Sequence, residues 1–371
     1  MKRLILIFSD IEAGGGTATD DFVEDDLLCQ TIKENFIHQK KYPTDLVLNG
    51  DTFDFMKCPY KGSYPRHITE NISLGKLEKI IEAHPLIFKT LAEFLASDKR
   101  ARIIFVHGNH DFDLVYPRVQ EKMKELLAGN DLKMKKRILF PGFEYEDGLL
   151  LVEHGSQLDK FFTVDPKKLV YFSKTHFIGE PFLLFPWGYN ALYDHFIHIK
   201  EEIPLMERLM PRMRAFNILP KKYQRRILFG TGWYMVKSFC WTQFTHWDDK
   251  LYRFHPKEFL VYFRNLTKKR FELRIVGPAR RKLRKSKYKV LAIGHSHISN
   301  IYRIRKKVVL NTGNWRDEYV YSRYGKKFIP KQKSYGFILL DKKEAMLKLI
   351  KVPSGQKEIT VQEIKEMLKK N

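Results

Sequence analysis

Leu4-Ile5-Leu6-Ile7-Phe8, followed at once by Ser9-Asp10-Ile11-Glu12, is the stretch on which the fold turns. Five apolar residues in a row, without alternation, suit a strand buried on both faces, as in a parallel sheet covered by other layers. Met1-Lys2-Arg3 ahead of it gives the start a superficial likeness to a signal peptide. The apolar run is too short for that, and it meets Ser9-Asp10 with no small-residue cleavage site.

The same kind of run recurs downstream. Asp45–Leu48, Arg102–Val106 and Leu149–Val152 read as strands, with helical patterns over Phe22–Ile37, Leu77–Leu95 and Val119–Leu127 between them. Strands return at Val290–Ile293, Ile301–Ile304, Val308–Leu310, Tyr335–Leu340 and Leu347–Ile350, and Thr360-Val361-Gln362-Glu363 has the spacing of a capping box opening a last helix. Alternation of this kind predicts an α/β layer structure. From 160 to 287 the character changes. Aromatics crowd in (Phe161, Phe185, Trp187, Trp233, Trp241, Trp247 among them), interleaved with Lys221-Lys222, Arg225-Arg226, Lys268-Lys269-Arg270 and Arg280-Arg281-Lys282. The chain therefore divides into core residues 1–159, a mostly helical basic and aromatic insertion over 160–287, and core residues 288–371 with the C-terminal helix.

Each strong polar cluster follows a predicted strand. They are Asp10 and Glu12, Gly50-Asp51-Thr52-Phe53-Asp54, Gly108-Asn109-His110-Asp111, His154-Gly155, and Gly294-His295-Ser296-His297. Ligands of open α/β sheets bind outside the carboxyl ends of strands. Residues two apart at a strand end face the same way, so Asp10/Glu12 and His295/His297 can each aim two side chains at one place. The glycines before Asp51, Asn109 and His295 predict sharp backbone turns. Carboxylates, imidazoles and an amide oxygen in this number exceed one ion's needs and suit two divalent metals sharing a carboxylate, as used for in-line displacement at phosphorus.

In order and spacing these motifs resemble the calcineurin-like metallophosphoesterase superfamily, over roughly 1–155 and 288–345. The resemblance implies a four-layer α/β/β/α sandwich with the insertion as a cap. It implies a first metal on Asp10, Asp51 and His297, with Glu12 where the family has a histidine, and a second on Asn109, His154 and His295, with Asp51 bridging. His110 would stabilise the transition state and protonate the leaving oxygen, and Asp54 would orient it. A carboxylate at position 12 is a harder ligand than imidazole and favours manganese, with magnesium, iron or zinc also open. Arg316, just after Asn314-Trp315, is a candidate phosphate contact. Within the superfamily, Ser9–Gly14, Asp20-Asp21-Phe22, Gly50–Asp54 and Asn311–Trp315 look most like the branch containing UDP-2,3-diacylglucosamine hydrolases. That implies a lipid-linked pyrophosphate substrate.

Charge speaks to partners. The chain carries 67 basic and 43 acidic residues, and residues 160–287 hold 27 and 10 of them. This concentration points to a polyanion: a phosphorylated substrate, an anionic membrane surface or nucleic acid. Ile227–Trp247 is the best interfacial segment, while basic residues among aromatics also mark single-strand nucleic-acid binders. Three scattered cysteines without CxxC spacing exclude a disulfide scaffold and a zinc ribbon, and they fit a reducing, cytoplasmic setting, peripheral on the inner membrane face if lipid is the substrate. Open alternatives are a soluble phosphatase, phosphodiesterase or nuclease with the cap on protein or nucleic acid, and a metal-depleted scaffold. Three smaller expectations complete the reading. The acidic run Asp20–Asp26 starts a helix rather than binding calcium, Cys58 is a plain buried thiol, and His176, His195, His198, His246 and His255 are packing or surface residues.

Overall fold

In a computed structural model, residues 2–160, 162–172, 178–186, 195–247, 249–252 and 275–370 are described. The chain is mixed α/β, built on two large sheets. One has six strands in the order Ala345–Val352, Lys333–Leu340, Arg3–Phe8, Thr44–Asn49, Arg102–Val106, Ile138–Gly142. Its last four run parallel, and Lys333–Leu340 pairs antiparallel with Arg3–Phe8. The other has five strands in the order Asn300–Ile304, Lys307–Asn311, Val290–Ile293, Leu150–Glu153, Glu144–Asp147, the middle three parallel.

The unbroken apolar runs now have their cause. In Arg3–Phe8, Leu4, Leu6 and Phe8 face a core with the helices Asp25–Glu34, Glu70–Ala83, Pro85–Ser97 and Pro117–Ala128. Ile5 and Ile7 face the other way, into a second core shared with Val47, Ile104, Leu150, Val152, Val290 and Ala292. The second sheet in turn puts Leu151, Leu291, Ile293 and Val309 against Ile275, Ala279 and Leu283. Successive side chains of a strand point to opposite faces, so a strand between two apolar layers has no polar position to spare. Each such Leu, Ile or Phe contributes about 1.5–3 kcal/mol relative to exposure.

Three expectations are adjusted. The helix read as Leu77–Leu95 is two helices, broken at His84 because Pro85 takes the first position of the second. The one read from Phe22 starts at Asp25, and only Asp25 and Asp26 of the acidic run lie in its first turn. Asp20 instead accepts from the backbone N–H groups of Gly14, Gly16 and Phe22. The basic run Arg280–Lys285, assigned by charge to the insertion, lies in the helix Val276–Lys285 that covers the second sheet.

The rest of the insertion is largely helical where described, with Ile197–Glu202, Arg212–Ile218 and the long Lys221–Phe244. It is tied to the C-terminal part: Leu209–Met210 pairs with Tyr319–Val320, and Ile199, Leu219 and Tyr223 share a core with Phe328 and Ile364. The final helix carries the expected capping box, Glu363 N–H donating to Thr360 Oγ1 at 3.1 Å and Thr360 N–H to Glu363 Oε2 at 2.7 Å.

His84, at the helix break, lies between two carboxylates, Nε2 3.0 Å from Asp20 and Nδ1 2.8 Å from Asp25. Burial opposes its protonation, but the two carboxylates outweigh burial and raise it to about 9. A raised folded-state value gives stability that is complete below the unfolded value near 6.5 and lost as pH rises through 9. Urea unfolding should therefore show His84→Gln less stable than the parent by about 2 kcal/mol near pH 6, the gap closing above about pH 9.

Candidate metal centre

The predicted polar clusters meet at one edge, at the carboxyl ends of Arg3–Phe8, Thr44–Asn49, Arg102–Val106, Leu150–Glu153 and Val290–Ile293. The turns carrying Asp10 and Asp51 are zipped to each other. Asp10 N–H donates to the Gly50 carbonyl at 3.1 Å, Glu12 N–H to Asp51 at 2.8 Å, and Asp54 N–H to Ala13 at 2.8 Å. Asp10, Glu12, Asp51, His295 and His297 all have φ between 50° and 61°. Left-handed backbone at five non-glycine residues is costly, and its clustering at one place marks a site whose surroundings impose it.

Sharp turning was expected of the glycines, but at two of them the requirement is space. A Cβ on Gly108 would stand 2.1 Å from Asp51 Oδ1, and one on Gly294 2.4 Å from Asp10 Oδ2. Neither has positive φ. Bare backbone lets these carboxylates lie against the neighbouring turns, where Gly108 is followed by Asn109 and Gly294 by His295.

Ligating atoms of Asp51, His154 and His295 lie within 4.8 Å of one another, and all three residues are buried. His154 Nε2 is 3.0 Å from Asp51 Oδ2 and 3.2 Å from Asn109 Oδ1, so the amide oxygen belongs to the same cluster. On its far side His154 Nδ1 is 3.0 Å from the Asn49 carbonyl, which can only accept. Nδ1 therefore carries a hydrogen, and Nε2 is the nitrogen that would offer its lone pair inward once an ion displaces its proton, the usual support of a metal-bound imidazole. His295 Nε2 is buried without a hydrogen bond, Asp159 Oδ2 lying 3.5 Å away. Burial lowers the pKa of His295, favouring the neutral form that coordination needs. Burial pushes His154 the same way, but Asp51 and Asp10 outweigh it and raise it to about 10. An orphaned ring nitrogen, an oriented second imidazole, a carboxylate and an amide oxygen fit a divalent ion.

The other carboxylates are held differently. His297 Nδ1 is 2.7 Å from Glu318 Oε1, and its Nε2 is 3.2 Å from Asp10 Oδ1 and 3.5 Å from Glu12 Oε1. Glu12 accepts from Arg316 at 2.9 and 3.2 Å and from Lys57 at 3.1 Å. Arg316, expected to touch a phosphate, is buried against Glu12 and donates to the Glu207 carbonyl at 2.7 Å. Ligating atoms of Glu12, Asp54 and His110 also lie within 4.8 Å of one another. Lys57 Nζ already stands 2.7 Å from Asp54 and 2.8 Å from Asp21, which also holds Lys200 at 2.7 Å.

His110 is 3.1 Å from Asp54 through Nδ1, and its backbone N–H donates to Asp51 Oδ1 at 2.7 Å. Burial disfavours its protonation, yet Asp54, Asp51 and Glu12 overcome this and raise it to about 10. Its side chain is 16% exposed, whereas His154 is at 1% and His295 at 3%. His110 is thus a partly exposed imidazole cation oriented by a buried carboxylate, as a general acid requires. His297, 14% exposed and raised to about 9 by Glu318 and Asp10 against burial, is a second.

Every sequence-predicted residue, Asp10, Glu12, Asp51, Asp54, Asn109, His110, His154, His295, His297 and Arg316, lies in this one region. Sequence reasoning missed Lys57, Lys200, Glu207 and Glu318, and it quoted Asp21 in a motif and an acidic run without placing it in the site. Lys57 carries a faint signal as the basic residue three after Asp54, whereas Lys200 and Glu207 come from the insertion and carry none. Among the remaining expectations, Cys58 is buried and burial pushes its thiol up to about 12, an inert group. His198 is exposed beside Glu201, and His195 packs on Phe196. His176 and His255 lie outside the described residues.

No family model matches the chain, and no curated protein matches it. Solved structures do. An archaeal phosphodiesterase shares 13% identity at TM-score 0.31, with 94% of this chain and 100% of that one covered. A conserved uncharacterized protein from Streptococcus pneumoniae, a predicted phosphoesterase, shares 10% at 0.28, covering 97% and 98%. Vacuolar protein sorting 29 from Cryptosporidium parvum shares 9% at 0.25, covering 95% and 99%. Likeness at this level assigns neither family nor activity.

Proposed function

We propose that this chain is a metal-dependent phosphoesterase of the calcineurin-like type, with the two sheets and their outer helices forming its four-layer sandwich. The observation that carries the reading is the convergence of Asp51, Asn109, His154 and His295, from four separate strand ends, on one ligand sphere beside the His110–Asp54 pair. A divalent ion held by these residues, manganese in this proposal, would supply charge neutralisation at a phosphoryl group and a water activated for in-line attack. His110, protonated and held by Asp54, donates its proton to the departing oxygen.

The preferred substrate is an amphiphilic phosphate or pyrophosphate of UDP-2,3-diacylglucosamine type, met at an anionic membrane surface on the cytoplasmic side. Two features of the insertion support this. The helix Lys221–Phe244 buries Tyr223 and Tyr234 but exposes Phe229, Trp233, Val236 and Phe244, with Trp247 just beyond. From Arg208 through Trp247 there is no acidic residue and there are eight basic ones. Aromatic bodies under a cationic rim suit the headgroup region of an anionic leaflet, where each cation adds about 1 kcal/mol. No helix among the described residues is long and apolar enough to cross a membrane.

Sedimentation with vesicles tests the surface. Binding to phosphatidylglycerol-containing vesicles, absent with phosphatidylcholine alone and reduced at least about 10-fold in Phe229→Glu/Trp233→Glu, is the expected outcome. Equal binding of the double variant would contradict it. Retention of single-stranded DNA instead of vesicles would transfer the insertion to a nuclease reading.

A further inference from the structure

Glu12 and its partners bear on how many ions this site holds. Both Glu12 oxygens are engaged: Oε2 accepts from Lys57 at 3.1 Å and Arg316 at 2.9 Å, and Oε1 lies 3.2 Å from Arg316. All three side chains are buried, at 4% exposure or less. To coordinate an ion Glu12 would have to turn from two buried cations, and an ion brought to its oxygens would sit against both positive charges. Lys57 is itself shared among Glu12, Asp21, Asp54 and Glu207, at 3.1, 2.8, 2.7 and 3.5 Å. An ammonium among four carboxylates does there what a metal does elsewhere, which is to hold like charges together. On the opposite half, Asp51, His154 and His295 have no lysine or arginine ion-pair partner among the described residues. Asp51, Asn109, His154 and His295 face one another, with an orphaned ring nitrogen among them.

We propose that the chain keeps a single divalent ion, on Asp51, Asn109, His154 and His295, and that Lys57 and Arg316, anchored by Glu12, are a built-in replacement for the second. This rests on the metallophosphoesterase reading and departs from the pair of ions that the motifs imply. Glu12 is then a positioning residue. Its carboxylate fixes Lys57, Lys57 stands 2.7 Å from Asp54, and Asp54 orients His110. Lys57 and Arg316 would thus act behind the proton donor, while Asp51, Asn109, His154 and His295 would hold the ion on the phosphoryl side.

The full chain, loaded with Mn(II) and desalted, should contain one ion by elemental analysis and give the EPR spectrum of isolated Mn(II), without the coupling of a close pair. His154→Ala should lose the ion, and Glu12→Gln should keep it. Glu12→Gln should also lower the melting temperature equally in Mn(II) and in EDTA, because its partners are protein cations. Two ions with a coupled spectrum would overturn the proposal and leave the phosphoesterase reading standing. So would loss of the ion in Glu12→Gln, or a melting shift confined to the metal-loaded protein. A wild-type chain that retains no ion would overturn both. The wild-type measurements decide the matter even if Glu12→Gln does not fold.

Discussion

Asp51→Asn should abolish phosphoester hydrolysis, lowering kcat by about 10³-fold or more, while circular dichroism and the melting transition stay close to wild type. Asp51 joins the ion's ligand set to His110. Its Oδ2 lies 3.0 Å from His154 Nε2, and its Oδ1 accepts the His110 backbone N–H at 2.7 Å. Removing its charge withdraws an anionic ligand from the ion and an electrostatic partner from His110 together. Asparagine keeps the shape and an accepting oxygen, so the turn that holds His110 survives. Metal retention after desalting should fall in parallel with activity. An active Asp51→Asn enzyme would sink the mechanism, whatever the substrate.

His110→Gln should act differently. A general acid typically contributes 10²–10⁴-fold, so kcat is expected to fall by about that factor with KM little changed and metal content intact. The loss should be larger for poor leaving groups than for p-nitrophenolate, because a good leaving group departs without a proton. Burial works against protonation of His110, and the Asp54, Asp51 and Glu12 carboxylates hold it near 10. The acid form therefore exists throughout the neutral range. Activity that depends on it should persist through neutrality and fall only as pH climbs toward that value. A leaving-group-independent loss in His110→Gln would instead assign the residue to metal or substrate placement.

Much of this site was legible in sequence because its parts are short and local. A strand that is apolar throughout ends in a turn that is polar throughout, and that change of character is visible at Phe8–Ser9, Asn49–Asp51 and Ile293–His295. Convergence was legible only by inference from parallel topology. The cationic half was not legible, since Lys200 reaches Asp21 across 179 residues and nothing in either neighbourhood signals the other. Charge also misled. In Val276–Lys285 the apolar positions Ala279 and Leu283, with Ile275 just before, mark a core-facing stripe, but the basic residues around them dominate the composition and place the segment with the insertion. At His84-Pro85 the apolar rhythm runs through a proline, and rhythm alone cannot tell one helix from two.

The most direct test is turnover by the purified full chain, with Mn(II) and with EDTA, on p-nitrophenyl phosphate, its bis-ester, and UDP-2,3-diacylglucosamine in detergent micelles. The account predicts hydrolysis that requires the metal, is absent in Asp51→Asn, and is concentrated on the lipid-linked pyrophosphate. Metal-dependent turnover of the simple esters alone would keep the chemistry and remove the lipid substrate. No metal-dependent hydrolysis of any of the three, by a protein that binds Mn(II), would contradict the claim that this site is a phosphoesterase.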